Sequence, residues 1–95
     1  MASSRSSGLK TTDTAIATGR NRINAITLLA DGVNAANVII YDNASSASGT
    51  VLAKVKIATG SVIQHVIFEN PVITEEGIFA DVTGTGAEYI VYFGG

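Results

Sequence analysis

Apolar and polar residues alternate along most of this chain with a period of two, and the pattern is clearest from Asn37 to Ile57. Val38-Ile39-Ile40-Tyr41 is a β-branched and aromatic run, too short for a helix and closed by Asp42-Asn43. It predicts a strand with apolar neighbours on both faces. Ala44 to Gly49 is small and polar, the composition of a surface connection. Strict alternation follows, with Val51, Ala53, Val55 and Ile57 on one face and Leu52, Lys54 and Lys56 on the other, as in a half-buried strand.

The same reading extends in both directions. Met1 to Gly8 is Ser-rich and aperiodic, which predicts a flexible N-terminal arm ahead of a single domain over residues 9–95. Leu9 to Thr18 is threonine-rich and loosely alternating, an edge strand or two short strands broken near Asp13. Arg22 to Ala30 predicts a strand covered on both sides. Its Ala and Leu content makes a short helix the competing reading, and the Asp31-Gly32 turn pair argues for the strand.

Val62 to Phe68 alternates as a strand and is expected to end at Glu69-Asn70-Pro71, because proline has no amide hydrogen for a ladder. Val72-Ile73 forms a further short strand before the turn Thr74-Glu75-Glu76-Gly77. Ile78 to Val82 and Glu88 to Phe93 alternate again, around a Thr83-Gly84-Thr85-Gly86 corner. Seven or eight short strands with glycine at most corners predict an all-β chain, an antiparallel β-sandwich or jelly roll.

Composition narrows what such a sandwich does. The chain has 95 residues, enough for one domain, with 46% hydrophobic and only 15% charged residues. An ordinary soluble domain is about 25% charged, so this surface is unusually neutral and suited to burial in an assembly. At this size burial and ordering entropy nearly cancel, and oligomerisation is a natural remedy. There is no cysteine, which removes disulfides and thiolate metal sites.

The N-terminus lacks the apolar middle of a signal peptide, and no segment reaches the length of a membrane span. The expectation is a soluble chain made in a cytoplasm, with no membrane partner. A net charge of −2 offers no basic field for nucleic acid. All basic residues precede position 57 while acidic residues crowd the last third, a polarity able to orient one copy against another.

Catalytic chemistry finds little support. His65 is the single histidine, so no histidine metal cluster and no Ser-His-Asp triad can be built in one chain. Glu75 and Glu76 are adjacent and point apart on an extended chain, in a turn. Asp42 heads a loop with too few carboxylates for the 6–8 oxygens that calcium takes. Gly84-x-Gly86 lies between strands rather than before a helix, so it reads as turn chemistry. These positions predict no catalytic residue, no metal, no cofactor and no enzyme. Tyr41, Tyr89 and Tyr92 would make a carbohydrate-binding platform if at least two of them lay exposed on one face.

The stretch Ile40 to Leu52 (IYDNASSASGTVL), the stretch Gly77 to Thr85 (GIFADVTGT) and the tyrosine-rich closing strand together resemble small β-sandwich virion proteins of tailed bacteriophages. The resemblance covers about two-thirds of the chain. It implies a non-enzymatic structural subunit, a capsid decoration or cement protein that binds the major capsid protein on the outside of the shell, often as a homotrimer. A tail, connector or fibre subunit is the alternative within the same class.

On that reading the subunit contact is expected on the second faces of the last two strands, at Phe79, Ile90 and Tyr92. The competing role for these three is the filling of the sandwich core. The N-terminal arm, Ser3 to Leu9, would lie on the capsid, with Leu9 in it and with Arg5 and Lys10 meeting acidic groups.

Overall fold

The structure is a computed structural model and describes residues 4–94. Eight strands follow one another: β1 (Arg5–Ser6), β2 (Thr14–Thr18), β3 (Asn21–Leu29), β4 (Ala36–Asp42), β5 (Thr50–Ile57), β6 (Ile63–Thr74), β7 (Gly77–Thr83) and β8 (Glu88–Gly94). They form two four-stranded sheets, ordered β1-β8-β3-β6 and β2-β7-β4-β5, and every pairing is antiparallel.

The pairing has a simple logic. β1 pairs with β8, β2 with β7, β3 with β6 and β4 with β5, as if one long hairpin had been folded at the β4–β5 loop. Rolling that hairpin adds the pairs β3–β8 and β4–β7 and closes two sheets over one core. This is the jelly-roll form of the β-sandwich that the alternation predicts.

The core is supplied by the inward residues of each strand. Ile23, Ile26 and Leu28 of β3, Val38 and Ile40 of β4, Ile78 and Ala80 of β7, and Tyr89 and Val91 of β8 are all fully buried. β3 is the strand for which a helix competed. Its neighbours β6 and β8 take its backbone groups on both sides, so tertiary pairing overrides the helical preference of its Ala and Leu residues.

Two boundaries differ from the expectation. Strand β6 does not end at Pro71 but runs twelve residues to Thr74, absorbing the predicted Val72-Ile73 strand. Its register against β3 shifts where Ile23 faces Val72 and Ala25 faces Ile67, so Phe68 to Pro71 form a bulge opposite Asn24. Proline is tolerated there because β6 is an edge strand and the bulge asks no ladder hydrogen bond of it.

The second difference is at the N-terminus. Arg5 and Ser6 pair with Phe93 and Tyr92, Ser7 N–H donates to the Val91 carbonyl at 2.9 Å, and Val91 N–H donates to Ser7 Oγ at 2.9 Å. From Arg5 onward the expected arm is therefore joined to the sheet, because the outer edge of β8 offers it backbone partners. Met1 to Ser3 lie outside the described residues.

Candidate functional site

The polar residues that look most chemical in the sequence hold turns. The Asp42 carboxylate, at the end of β4, accepts the backbone N–H groups of Glu75, Glu76 and Gly77 at 3.1, 2.7 and 3.3 Å. These hydrogen bonds, led by that from Glu76, hold its carboxyl below the ordinary aspartate range. Asn43 Oδ1 accepts the N–H groups of Ser45 and Ser46 at 2.9 and 3.0 Å, folding the β4–β5 loop back on itself. Asp31 does the same for the β3–β4 loop, accepting from Val33 and Asn34, and its carboxyl is likewise lowered, with the Asn34 backbone bond as the largest cause.

The stretches Ile40 to Leu52 and Gly77 to Thr85 thus meet in space. Gly77 has φ +155°, and a Cβ there would stand 2.6 Å from the Ala17 carbonyl and 3.0 Å from that of Asn43. Glycine is needed because the Asn43-Ala44 backbone and β2 close on it from two sides. The Asp42 bonds and this close approach lock the loop after β4 against the β6–β7 turn.

A third cluster closes the N-terminal crossing. The fully buried Tyr89 donates its hydroxyl hydrogen to the Thr12 carbonyl at 2.7 Å, and its backbone exchanges hydrogen bonds with Lys10. Burial, above all, raises the phenol above its usual range. Asp13 accepts the Val82 N–H at 2.9 Å. Residues 9–13 are thereby pinned to both sheets as they cross from one to the other. Burial first, and the neighbouring Asp13 second, raise the carboxyl of Asp81.

The outward faces of the two sheets differ in chemistry. On the β2-β7-β4-β5 sheet, Lys56 and Thr83 flank Asn37, and Lys54 and Asp81 flank Ile39. The charge polarity of the linear sequence disappears here, because β5 and β7 lie on either side of β4. Val51, Tyr41, Phe79 and Ala15 complete this face, next to one another across four strands.

The outward face of the β1-β8-β3-β6 sheet is apolar over most of its length. Tyr92, Ala25 and Ile67 form one row, Ile90, Thr27 and His65 the next, and Glu88, Leu29 and Ile63 the third. Ile63 and Ile67 are 58% and 72% exposed, so β6 presents two large aliphatic side chains to solvent on this face. His65 Nδ1 and Thr27 Oγ1 share a hydrogen bond at 2.6 Å, and the His65 ring meets Tyr92 edge to face at 6.5 Å.

The residues singled out in the sequence are divided by the fold. Ile90 and Tyr92 stand together on this apolar face, while Phe79 lies half-buried on the outside of the other sheet. All three are outside the core, yet no single surface of one copy holds them. Arg5 and Leu9 are exposed and Lys10 is half-buried at the N-terminal edge beside β8. The tyrosines are separated too. Tyr89 is in the core, Tyr41 faces out from one sheet and Tyr92 from the other, so no two of them form the platform that carbohydrate binding requires.

What the sequence reading missed is the pair Ile63 and Ile67. Their signal was present, since both stand with His65 on one side of the alternating run from Val62 to Phe68, but the alternation alone does not say which side is the core. Among the described residues, no cluster of three or more His, Cys, Asp or Glu side chains is placed to hold a metal ion. Nor, among the described residues, is any helix long and apolar enough to cross a membrane. No family model, curated protein or solved structure matches the chain.

Proposed function

We propose that this chain is a non-enzymatic structural subunit of a tailed-phage virion, of the capsid-decoration type, bound to the major capsid protein on the outside of the shell. The observation that carries the reading is the contact between the two stretches of the resemblance. Asp42 and Gly77 join them into one end of the sandwich, which supports reading the two stretches as one architectural unit.

Two further features support it. The carboxylates Asp13, Asp31 and Asp42 are engaged by backbone N–H groups, which suits a scaffold more than a reaction centre. The jelly roll is a frequent framework of viral capsid modules, although a fold alone does not assign a role. A subunit of this kind needs rigid surfaces repeated many times, since multivalency multiplies weak contacts.

The test is quantitative mass spectrometry on purified particles of the virus that encodes the chain. A decoration protein is expected in hundreds of copies per particle. A handful of copies would move it to the tail, connector or fibre, and its absence from the particle would overturn the proposal.

A further inference from the structure

We infer that Asp13 and Asp81 form a proton-operated catch on the N-terminal crossing, residues 9–13, fastened while a proton lies between the two carboxyls and loosened once both are ionised. The inference concerns the chain by itself and does not depend on the virion reading.

The first argument is position. β2 lies against β7 with Thr14 opposite Ala80 and Ala15 opposite Phe79, so one step further along the same register Asp13 stands opposite Asp81. Residues directly opposite on an antiparallel pair have Cβ atoms roughly 5 Å apart, and like charges there repel. Asp13 is also tied in place, because its Oδ1 accepts the Val82 N–H at 2.9 Å. It cannot swing away from Asp81 without giving up that bond. The two carboxyls are in side-chain hydrogen-bond contact, and carboxyls bond each other only when one of them carries a proton.

The second argument is what faces the pair. On β4 the neighbour of Asp81 is Ile39, and beyond it stands Lys54 of β5. Two strand spacings, roughly 10 Å, separate Lys54 from Asp81, a distance at which salt screens an exposed charge. β8 brings the Tyr89 hydroxyl, whose hydrogen goes to the Thr12 carbonyl. Lys10, the one cation on the crossing, meets Tyr89 through its backbone. Thr12 and Thr14 flank Asp13 in sequence. The immediate neighbours are therefore uncharged, and burial first and Asp13 second raise the Asp81 carboxyl.

The third argument is what the proton holds. With Asp81 protonated, Asp13 accepts two hydrogen bonds, one from Asp81 and one from the Val82 N–H. When Asp81 ionises, Asp13 loses a donor and meets a like charge. The Val82 bond ties the crossing to β7, while the Tyr89 hydroxyl and the Lys10 backbone tie it to β8. Ionisation thus loosens the crossing at β7 and leaves its hold on β8. The catch is complete below 3.8 and is lost as pH rises through the higher folded-state pKa of Asp81.

Amide hydrogen exchange on the full chain, corrected for its intrinsic pH dependence, reads the catch at the Val82 amide. The amides of β3 give the reference for global opening. Relative to β3, protection of Val82 is expected to fall about fivefold between 3.8 and pH 7, the factor that matches the upper end of cross-strand pair energies. Asp81→Asn offers Asp13 a neutral donor at every pH and is expected to keep the higher protection with no step. Protection of Val82 that follows β3 at every pH, or a step that survives in Asp81→Asn, would overturn the inference.

Carbon-13 spectra of the side-chain carboxyls supply a second measurement, made on the wild type and on Asp13→Asn. In the wild type the Asp81 carboxyl is expected to titrate above 3.8, and the Val82 amide resonance to move with the same midpoint. In Asp13→Asn the Asp81 midpoint is expected to fall. A wild-type midpoint at or below 3.8, a Val82 resonance indifferent to it, or a midpoint unmoved by Asp13→Asn would each overturn the catch.

Discussion

The Asp42 carboxylate takes the Glu76 amide hydrogen at 2.7 Å across 34 residues of sequence, and the Glu75 and Gly77 amides complete the clasp. Removing the carboxylate gives up three charge-assisted bonds and leaves the part-buried Gly77 amide unpaired, while the exposed Glu75 and Glu76 amides turn to water. Asp42→Ala is expected to cost about 2 kcal/mol, which for a chain of this size lowers the melting temperature by about 10 °C. Urea denaturation with an unchanged slope would show that the loss is one of stability and not of compactness.

The pH dependence has two parts of opposite sign. Asp31 and Asp42 have carboxyls lowered from the ordinary aspartate value of 3.8. Their contribution is complete above that value and is lost as pH falls through the lower folded-state pKa. Asp81 is raised by burial and by Asp13, so its ionisation destabilises the fold as pH rises from 3.8 through the higher folded-state pKa. Asp81→Asn is therefore expected to be more stable than the wild type at pH 7, with the gain vanishing below 3.8. Thermal melts of both proteins from pH 3 to pH 8 check the two signs together.

Gly77 and Gly84 are placed where a side chain has no room. A Cβ would stand 2.6 Å from the Ala17 carbonyl at Gly77 and would clash with the Ala35 carbonyl at Gly84, with φ +155° and +119°. Either glycine replaced by alanine is expected to lose about 3 kcal/mol, from backbone strain and overpacking together. Gly60→Ala is the comparison, since nothing lies within 4 Å of its Cβ position. It should lose about 1 kcal/mol from its left-handed backbone alone. Equal losses at all three positions would refute the packing argument.

Tyr89→Phe keeps the buried ring and removes only the bond to the Thr12 carbonyl. A stability loss of about 1 kcal/mol is expected. Hydrogen exchange should quicken in residues 10–14 more than in β3, because the crossing between the sheets loses one of the bonds that pin it.

Much of this fold was readable from residue order. The period-two runs located β3, β4, β5, β7 and β8, and the Asp31-Gly32 and Gly84-x-Gly86 corners marked turns that the structure contains. Alternation is a local property and carries over directly to strands. It could not reveal that Arg5 and Ser6 join β8, because a polar two-residue strand has no pattern of its own and is set by its partner's free edge. Nor could it reveal that β6 passes through Pro71, since the tolerance comes from a bulge and an edge position.

The candidate surface was half legible. Alternation places Ile90 and Tyr92 on the second face of the last strand, and they do face outward. The same alternation groups Phe79 with them, whereas the roll places β7 and β8 in different sheets. Sequence neighbours separated by a crossing share a corner and not a face. Ile63 and Ile67 join Ile90 and Tyr92 only through β3, which no local pattern shows.

The bulge at Phe68 to Pro71 has a consequence for how large an assembly can grow. A free edge of twelve residues is a template on which further chains add strand by strand into filaments. Here the edge is split into two short runs by residues out of register, one of them without an amide hydrogen to offer. Strand-by-strand growth along this edge is thereby interrupted, because neither short run offers a further chain an unbroken ladder of backbone partners.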